Sequence, residues 1–296
     1  MQKKRIDWLN TGFIGTSHLV AVFAVIYMAA IQFSWWTVGL ALLWGACCGV
    51  SVTGGYHRLF SHNAYRASWV LRAFYLVFGA ATLQNSALKW SADHRVHHKF
   101  TDKEEDPYSI TQGFWWAHIG WVLHKSEKEM DLNSVRDLYA DPLVRFQHRF
   151  YLPIAVLTGF LLPGALGMLW GDPIGAVLVA GFLRLVLMWQ ATFSINSVAH
   201  CIGKKTYSLT STARDSFVTA LLSMGEGYHN FHHRFQSDYR NGVRWYHFDP
   251  TKWWVWTLSK VKLTRDLKRV PPQAIEKARQ AVRAQLAAHR PMPDVS

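Results

Sequence analysis

The chain of 296 residues is half apolar, with 15 Trp, 17 Phe and 11 Tyr, and it carries 32 basic against 19 acidic side chains, a net charge of +13. That length admits one large domain or two small ones, and three Cys, two of them adjacent at Cys47 and Cys48, exclude a disulfide framework. No Asp, Glu, Lys or Arg lies between Asp7 and Arg58, which excludes an ordinary soluble domain.

In chain order, the N-terminus MQKKRIDW is basic but lacks a small-residue cleavage site after its apolar run, so it reads as an anchor and not as a removable signal. A spanning helix needs roughly 20 apolar residues, and the charge-free stretch fits two, near 14–32 and 36–54. A long polar segment, 55–150, follows. A second pair of spans is expected near 151–170 and 174–199, with Pro163, Gly164, Gly167, Gly171 and Pro173 marking the end of one and the turn into the next. Arg184 falls inside the fourth span, and snorkelling or a local partner is expected for it. Beyond 200–270, the tail 271–296 places Ile275, Ala278, Val282 and Leu286 at helical spacing among basic residues, the pattern of a peripheral amphipathic helix.

Neither inter-span turn, 33–35 or 163–173, contains Lys or Arg, whereas Lys3, Lys4 and Arg5 precede the first span and 16 basic against 7 acidic residues follow residue 200. The positive-inside rule then puts both termini and the 55–150 segment in the cytoplasm. The expectation is a single all-α integral membrane domain over 1–296, with about four transmembrane helices and a cytoplasmic helical domain, set in a bacterial inner membrane. No nucleic-acid partner is expected.

Histidine is the unusual residue. Nine of the 15 fall in four places: His57 and His62 in HRLFSH, His94, His97 and His98 in HRVHH, His200 in NSVAH, and His229, His232 and His233 in HNFHH. An even number of crossings separates the first group from the last, so all nine emerge on one face of the membrane. Positions i, i+3 and i+4 share a helix face, so each HxxHH triplet points one way. His57 and His62, about 140 degrees apart on an ideal helix, suit two different ions or a helix end. His18, His118, His124, His148, His247 and His289 are isolated and read as hydrogen-bonded or surface residues. Eight or nine nitrogens suit two ions with positions left open, and imidazole accepts Fe, Zn, Cu or Ni. A di-iron carboxylate bundle would need two Glu-x-x-His motifs, and only Glu226 with His229 supplies one. Asp93, Asp106, Glu226 and Asp238 are candidates for orienting the rings from behind.

The boxes HRLFSH, HRVHH and HNFHH with NSVAH, in the setting TGGYHRLFSH, LQNSALKWSADHRVHHKF, EEDPYS, GFWWAHIGW and GEGYHNFHH, resemble the membrane-bound fatty acyl desaturases, particularly the delta-9 acyl-CoA and acyl-lipid group. The resemblance covers most of residues 50–250. It implies that the nine His bind two non-haem irons, with Asn196 acting on one through a water, and that O2 is consumed as two hydrogens leave adjacent methylenes to give a cis alkene, expected at carbon 9 of a C16 or C18 chain. It also implies a bent acyl tunnel with Gln84, Trp90 and Thr192 at the bend, and a head group near Asn85 and Asp93. An unactivated methylene offers nothing to acid, base or nucleophile, so redox chemistry is what such a substrate requires. The chain departs from the animal acyl-CoA enzymes at Ala92 and at Thr111, Gln112 and Gly113, where those carry basic residues, which leaves CoA, lipid and carrier-protein substrates open.

The sequence shows no haem-binding module, Cys-rich ferredoxin segment or dinucleotide fingerprint, so electrons are expected from an external ferredoxin or cytochrome b5-like donor with its reductase. The net +9 after residue 200 (16 minus 7) favours an acidic one. Two rivals are a membrane di-iron alkane or lipid hydroxylase and a metal carrier. The carrier is disfavoured because its ligands would line a path through the bilayer.

Overall fold

A computed structural model describes residues 5–126 and 130–288. Lys3, Lys4, His289 and the tail beyond 288 lie outside the described residues. Among the described residues, four helices are long and apolar enough to cross a membrane: α1 (Trp8–Ala30), α2 (Trp35–Ser61) and, after the shorter α3 (Trp69–Ala80), α4 (Ala87–Phe100), α5 (Trp121–Leu123) and α6 (Pro142–Arg149), the spans α7 (Tyr151–Trp170) and α8 (Pro173–Cys201). After them come α9 (Phe217–Leu222), α10 (His229–Arg234), α11 (Pro250–Lys260) and α12 (Pro272–Ala288), and a two-stranded antiparallel sheet joins β1 (Arg66–Ala67) to β2 (Thr264–Arg265). The protein is therefore an all-α, multi-pass membrane protein.

Local sequence accounts for the boundaries. Asp7, Ser34, Ser68, Ser86, Asp141 and Asp249 each accept a backbone N–H of the helix that follows, satisfying a donor the helix cannot. The first span begins at Trp8 because Asp7 caps it there, and the second continues as a π-helix from Ser51 to Ser61. The turn between α7 and α8 is narrower than the glycines suggest. Pro163, Gly164 and Gly167 are inside α7, and only Gly171, left-handed at φ 72, and Pro173 mark the turn. Pro163 is tolerated because it opens a new α segment just after the π stretch Leu157–Leu161. Asp172 closes this end of the molecule, accepting from Tyr27 at 2.9 Å, Thr37 at 2.6 Å and the Gly175 amide.

Arg184 does not snorkel. It is buried and donates to the carbonyls of Ala180 (3.0 Å), Ala81 (2.8 Å) and Gly159 (3.3 Å). Ala180 and Gly159 both lie in π segments, whose altered bonding leaves carbonyls to be satisfied.

The span helices expose apolar side chains outward, among them Leu19, Val22 and Ile26 of α1, whereas the end of α2 packs with α3, α4 and α11 into a core of Tyr56, Leu59, Tyr65, Leu71, Tyr75, Leu88 and Val255. The amphipathic α12 lies on the protein, with Ile275 and Ala278 against Tyr207 and Phe231, while Leu286 is exposed. Its apolar stripe therefore covers the helix that carries the last histidine box.

Candidate metal centre

Four elements bring the nine histidines into two neighbouring groups. His57, His62, His94, His98 and His232 form one nest and His97, His200, His229 and His233 the other, each with its ligand-type atoms within 4.8 Å of one another. The triplets do not point one way. His94 and His98, four apart on α4, share the five-membered nest while His97 turns to the four-membered one; on α10, His229 and His233 share the second nest and His232 joins the first. A face wide enough to hold i, i+3 and i+4 thus straddles two sites. His57 and His62 share a nest, with rings 5.0 Å apart. The ideal-helix angle fails there because residues 51–61 are π-helical, and the i to i+5 repeat returns the chain to nearly the same face.

The nitrogens that face each other are all Nε2. His57 approaches His232 at 2.9 Å, His62 approaches His94 at 2.9 Å, His98 approaches His232 at 2.9 Å, His229 approaches His200 at 3.1 Å and His233 at 3.0 Å, and His97 approaches His233 at 3.3 Å. On three rings the opposite nitrogen meets an oxygen. His57 Nδ1 lies 2.8 Å from Glu226, His97 Nδ1 lies 2.9 Å from Asp106, and His200 Nδ1 lies 2.6 Å from Thr212 Oγ1, which itself donates to Asp102 at 2.6 Å. A carboxylate only accepts, so it fixes the proton on Nδ1 and leaves Nε2 as a bare lone pair. Lone pairs crowded at 3 Å repel one another unless a cation lies between them. Burial, reinforced by the neighbouring rings, holds His62, His94, His98, His229, His232 and His233 well below the usual imidazole range, so they stay neutral. Such donor sets fit divalent cations of the imidazole-binding class.

Two of the carboxylates expected behind the rings are there, Glu226 and Asp106. Asp238 is not; it clamps Arg240 and the Val270 amide. Asp93 pairs with Lys89 at 2.5 Å and faces a cavity, and burial raises its carboxyl despite the lysine.

The structure adds groups that the pattern did not show. Arg58, fully buried, reaches Glu226 at 2.7 Å, Asp249 at 3.0 Å and the Tyr239 carbonyl at 2.9 Å. Burial would raise the Glu226 carboxyl, but His57 and Arg58 outweigh it and hold it at about 2. Tyr108 lies between the nests, its hydroxyl 3.4 Å from His94 Nδ1 and its ring 4.6 Å from His97. Arg58 was visible as the first charge after a 50-residue gap, directly beside His57; Asp249 announced itself only as a helix cap before Pro250.

A cavity of about 590 Å³ touches both nests. His57 and His94 line it from one, His97 and His229 from the other, and its remaining wall is mainly apolar, including Phe13, Ile14, Phe160, Trp189 and Phe193. Gln84, Trp90 and Thr192 all line it; Gln84 donates to Thr192 at 3.1 Å, and Trp90 stacks on His94 at 4.8 Å. Asn85, Asp93 and Asn196 line it too. Of the isolated histidines, His18, His118, His124 and His148 have hydrogen-bond partners and His247 stacks on Tyr228.

The family model described as fatty acid desaturase matches residues 33–264. A probable acyl-CoA desaturase of Schizosaccharomyces pombe is 41% identical over 276 residues, 93% of this chain and 57% of that protein. Acyl-CoA desaturase 1 of Saccharomyces cerevisiae is 45% identical over 232 residues, 78% and 46% of the two chains. The chain thus spans about half the length of these two yeast relatives. Stearoyl-CoA desaturase 5 of Homo sapiens is 33% identical over 285 residues, covering 93% of this chain and 84% of the human protein. The histidine nests, the apolar cavity that meets them and this similarity lead to one conclusion: the chain belongs to the fatty acid desaturase family.

Proposed function

We propose that the protein is an O2-dependent fatty acyl desaturase that introduces a cis double bond, at carbon 9, into a long saturated chain carried as acyl-CoA or acyl-lipid. The observation that carries this reading is the single cavity, mostly apolar, that passes Trp90 and Thr192 and meets two histidine nests. His57, His62, His94, His98 and His232 would hold one iron and His97, His200, His229 and His233 the other, with Asn196 acting on the second through a water. The two irons supply the redox chemistry that an unactivated methylene requires.

The chain's own residues do the rest. The apolar wall excludes water and holds the chain, and the Gln84–Thr192 pair beside Trp90 fixes a bend close to the shape of a cis alkene; positioning of this kind is a large part of the rate. Glu226, Asp106 and the Thr212–Asp102 pair keep Nε2 of His57, His97 and His200 directed into the nests. In balance, a CH2–CH2 unit loses two hydrogens, and O2 takes these with two electrons and two protons to leave as two waters. The electrons come from an external ferredoxin or cytochrome b5-like donor, drawn to the basic cytoplasmic surface. Both termini and the nests face the cytoplasm of a bacterial cell on this reading.

Mass spectrometry of acyl chains incubated with purified protein, O2 and a competent reductant tests it. Loss of two hydrogens at carbons 9 and 10 is expected; gain of one oxygen would assign a hydroxylase, and unchanged chains would refute the enzyme. Enclosure on both sides of a fixed bend favours desaturation, because two neighbouring C–H bonds are presented in sequence.

A further inference from the structure

Lys204 and Asp215 pair through their backbones at 3.0 and 2.8 Å and close the base of a loop. Within it, among the described residues, no backbone group of 205–213 bonds another backbone group. Polar backbone away from regular structure needs other partners, and side chains supply them here. Asn230 supplies most. It lies on α10 between His229 and His232 and is fully buried. Its Oδ1 accepts the amides of Thr206 at 2.9 Å, Tyr207 at 2.7 Å and Ser208 at 3.2 Å, and its Nδ2 donates to the carbonyls of Ser208 at 2.8 Å and Ala213 at 2.9 Å. These bonds exhaust the two donors and the accepting oxygen of a carboxamide. All five go to the loop.

The same loop carries Thr212. Its hydroxyl stands between His200 Nδ1 and Asp102, and its amide donates to Asp102 at 2.6 Å. Asp102 follows the end of α4, and His200 closes α8, so the loop meets both helices at one residue. Arg214, just beyond, donates its amide to Ala199 of α8 at 2.8 Å and accepts the His229 amide of α10 at 3.3 Å. The ring of His200 is therefore oriented by a hydroxyl whose segment has no ladder of its own and is shaped from inside by Asn230.

We propose that Asn230 is a positioning residue of the second nest: it folds the 205–213 loop so that Thr212 stands behind His200 and fixes that ring. This rests on the reading of the nests as metal sites given above. A residue on α10 then acts on a histidine of α8, and on one ion alone. Cobalt(II), a cation that imidazole accepts, is the probe, and chelator competition on the loaded protein reads the two affinities; the ion of the second nest is the one that Asp106→Asn weakens. Asn230→Ala is expected to weaken that ion about tenfold and to leave the other unchanged, although His232 of the first nest lies two residues away on the same helix. Adding Thr212→Val to Asn230→Ala is expected to cost nothing more, because both changes remove one interaction. Equal loss at both ions would reduce Asn230 to a support of α10 as a whole, and additive losses would separate it from Thr212; either result overturns the proposal, as does no loss. Where Asn230→Ala yields no folded protein, Asn230→Asp, which keeps the acceptor for the three amides, is held to the same criteria. If the wild type takes up no cobalt, the metal reading fails, and amide exchange in the metal-free protein decides the rest. Lost protection at Thr212 in the variant, with α10 still protected, supports the placement of Thr212 by Asn230, and unchanged exchange overturns it.

Discussion

The two nests share α4 and α10, while α2 feeds only the first and α8 only the second, and they are held differently. The five-histidine nest is braced by a buried ionic cluster in which Glu226 joins His57 to Arg58 and Asp249 secures Arg58 from the other side. The four-histidine nest is braced by separate short contacts, Asp106 on His97 and the Thr212–Asp102 pair on His200. The first has one histidine more and a shared scaffold; the second has one fewer, with Asn196 in the cavity one helical turn before His200. Because α4 and α10 each feed both nests, a change in either helix's placement disturbs both nests, whereas a change behind one ring disturbs one. That difference makes the nests separable by experiment.

The largest effect is expected from adjacent histidines. His233→Ala leaves three nitrogens in the second nest and His232→Ala leaves four in the first, so both abolish turnover, but metal analysis is expected to find more iron retained by His232→Ala. Equal retention would remove the distinction between the nests. Next in size are the bracing carboxylates. Glu226→Gln and Asp106→Asn each replace the charged acceptor behind a ring with a neutral amide, which costs about 10 to 100-fold in metal affinity, and Glu226→Gln also weakens folding because Asp249 is then the one carboxylate left to buried Arg58. A chelator competition series reads the affinities, and an Asp106→Asn protein as unstable as Glu226→Gln would contradict the shared-scaffold account.

Acid acts on both nests together. Unfolded imidazoles take up protons below about pH 6.5, while the buried ones of both nests are held well below that range. The folded state then binds fewer protons than the unfolded, so stability of the metal-free protein is full above about pH 6.5 and falls as the pH drops below it. Urea denaturation across pH 5 to 8 measures the slope, and a flat profile would contradict the burial of the rings. The smallest effect is expected from Thr212→Val, which removes the hydroxyl between His200 and Asp102. It is expected to weaken only the second ion, by less than Asp106→Asn does, in the same chelator series.

Much of this was legible from residue order. The charge-free run from 8 to 57 and the two later apolar stretches place four spans, because burying charge in a bilayer is costly enough to leave a mark in composition. The histidine boxes were equally plain. What the sequence did not show was the partition of the nine rings, since i, i+3 and i+4 describe one face and cannot say that two sites divide it. Nor did it show the π-helix at 51–61, which depends on packing more than on propensity and which moved His62 beside His57. Asp238 looked like a ring-orienting carboxylate and instead holds Arg240, and Asp249, which caps α11, also anchors the ionic cluster. Carboxylates take partners that are distant in sequence, and only the fold chooses among them.

The most direct test is the number and place of the metal ions in active protein. Anomalous diffraction at the iron edge, with elemental analysis of the same preparation, is predicted to give two irons per chain, one among His57, His62, His94, His98 and His232 and one among His97, His200, His229 and His233. A single ion per chain in fully active protein, or two ions outside these nests, would contradict it.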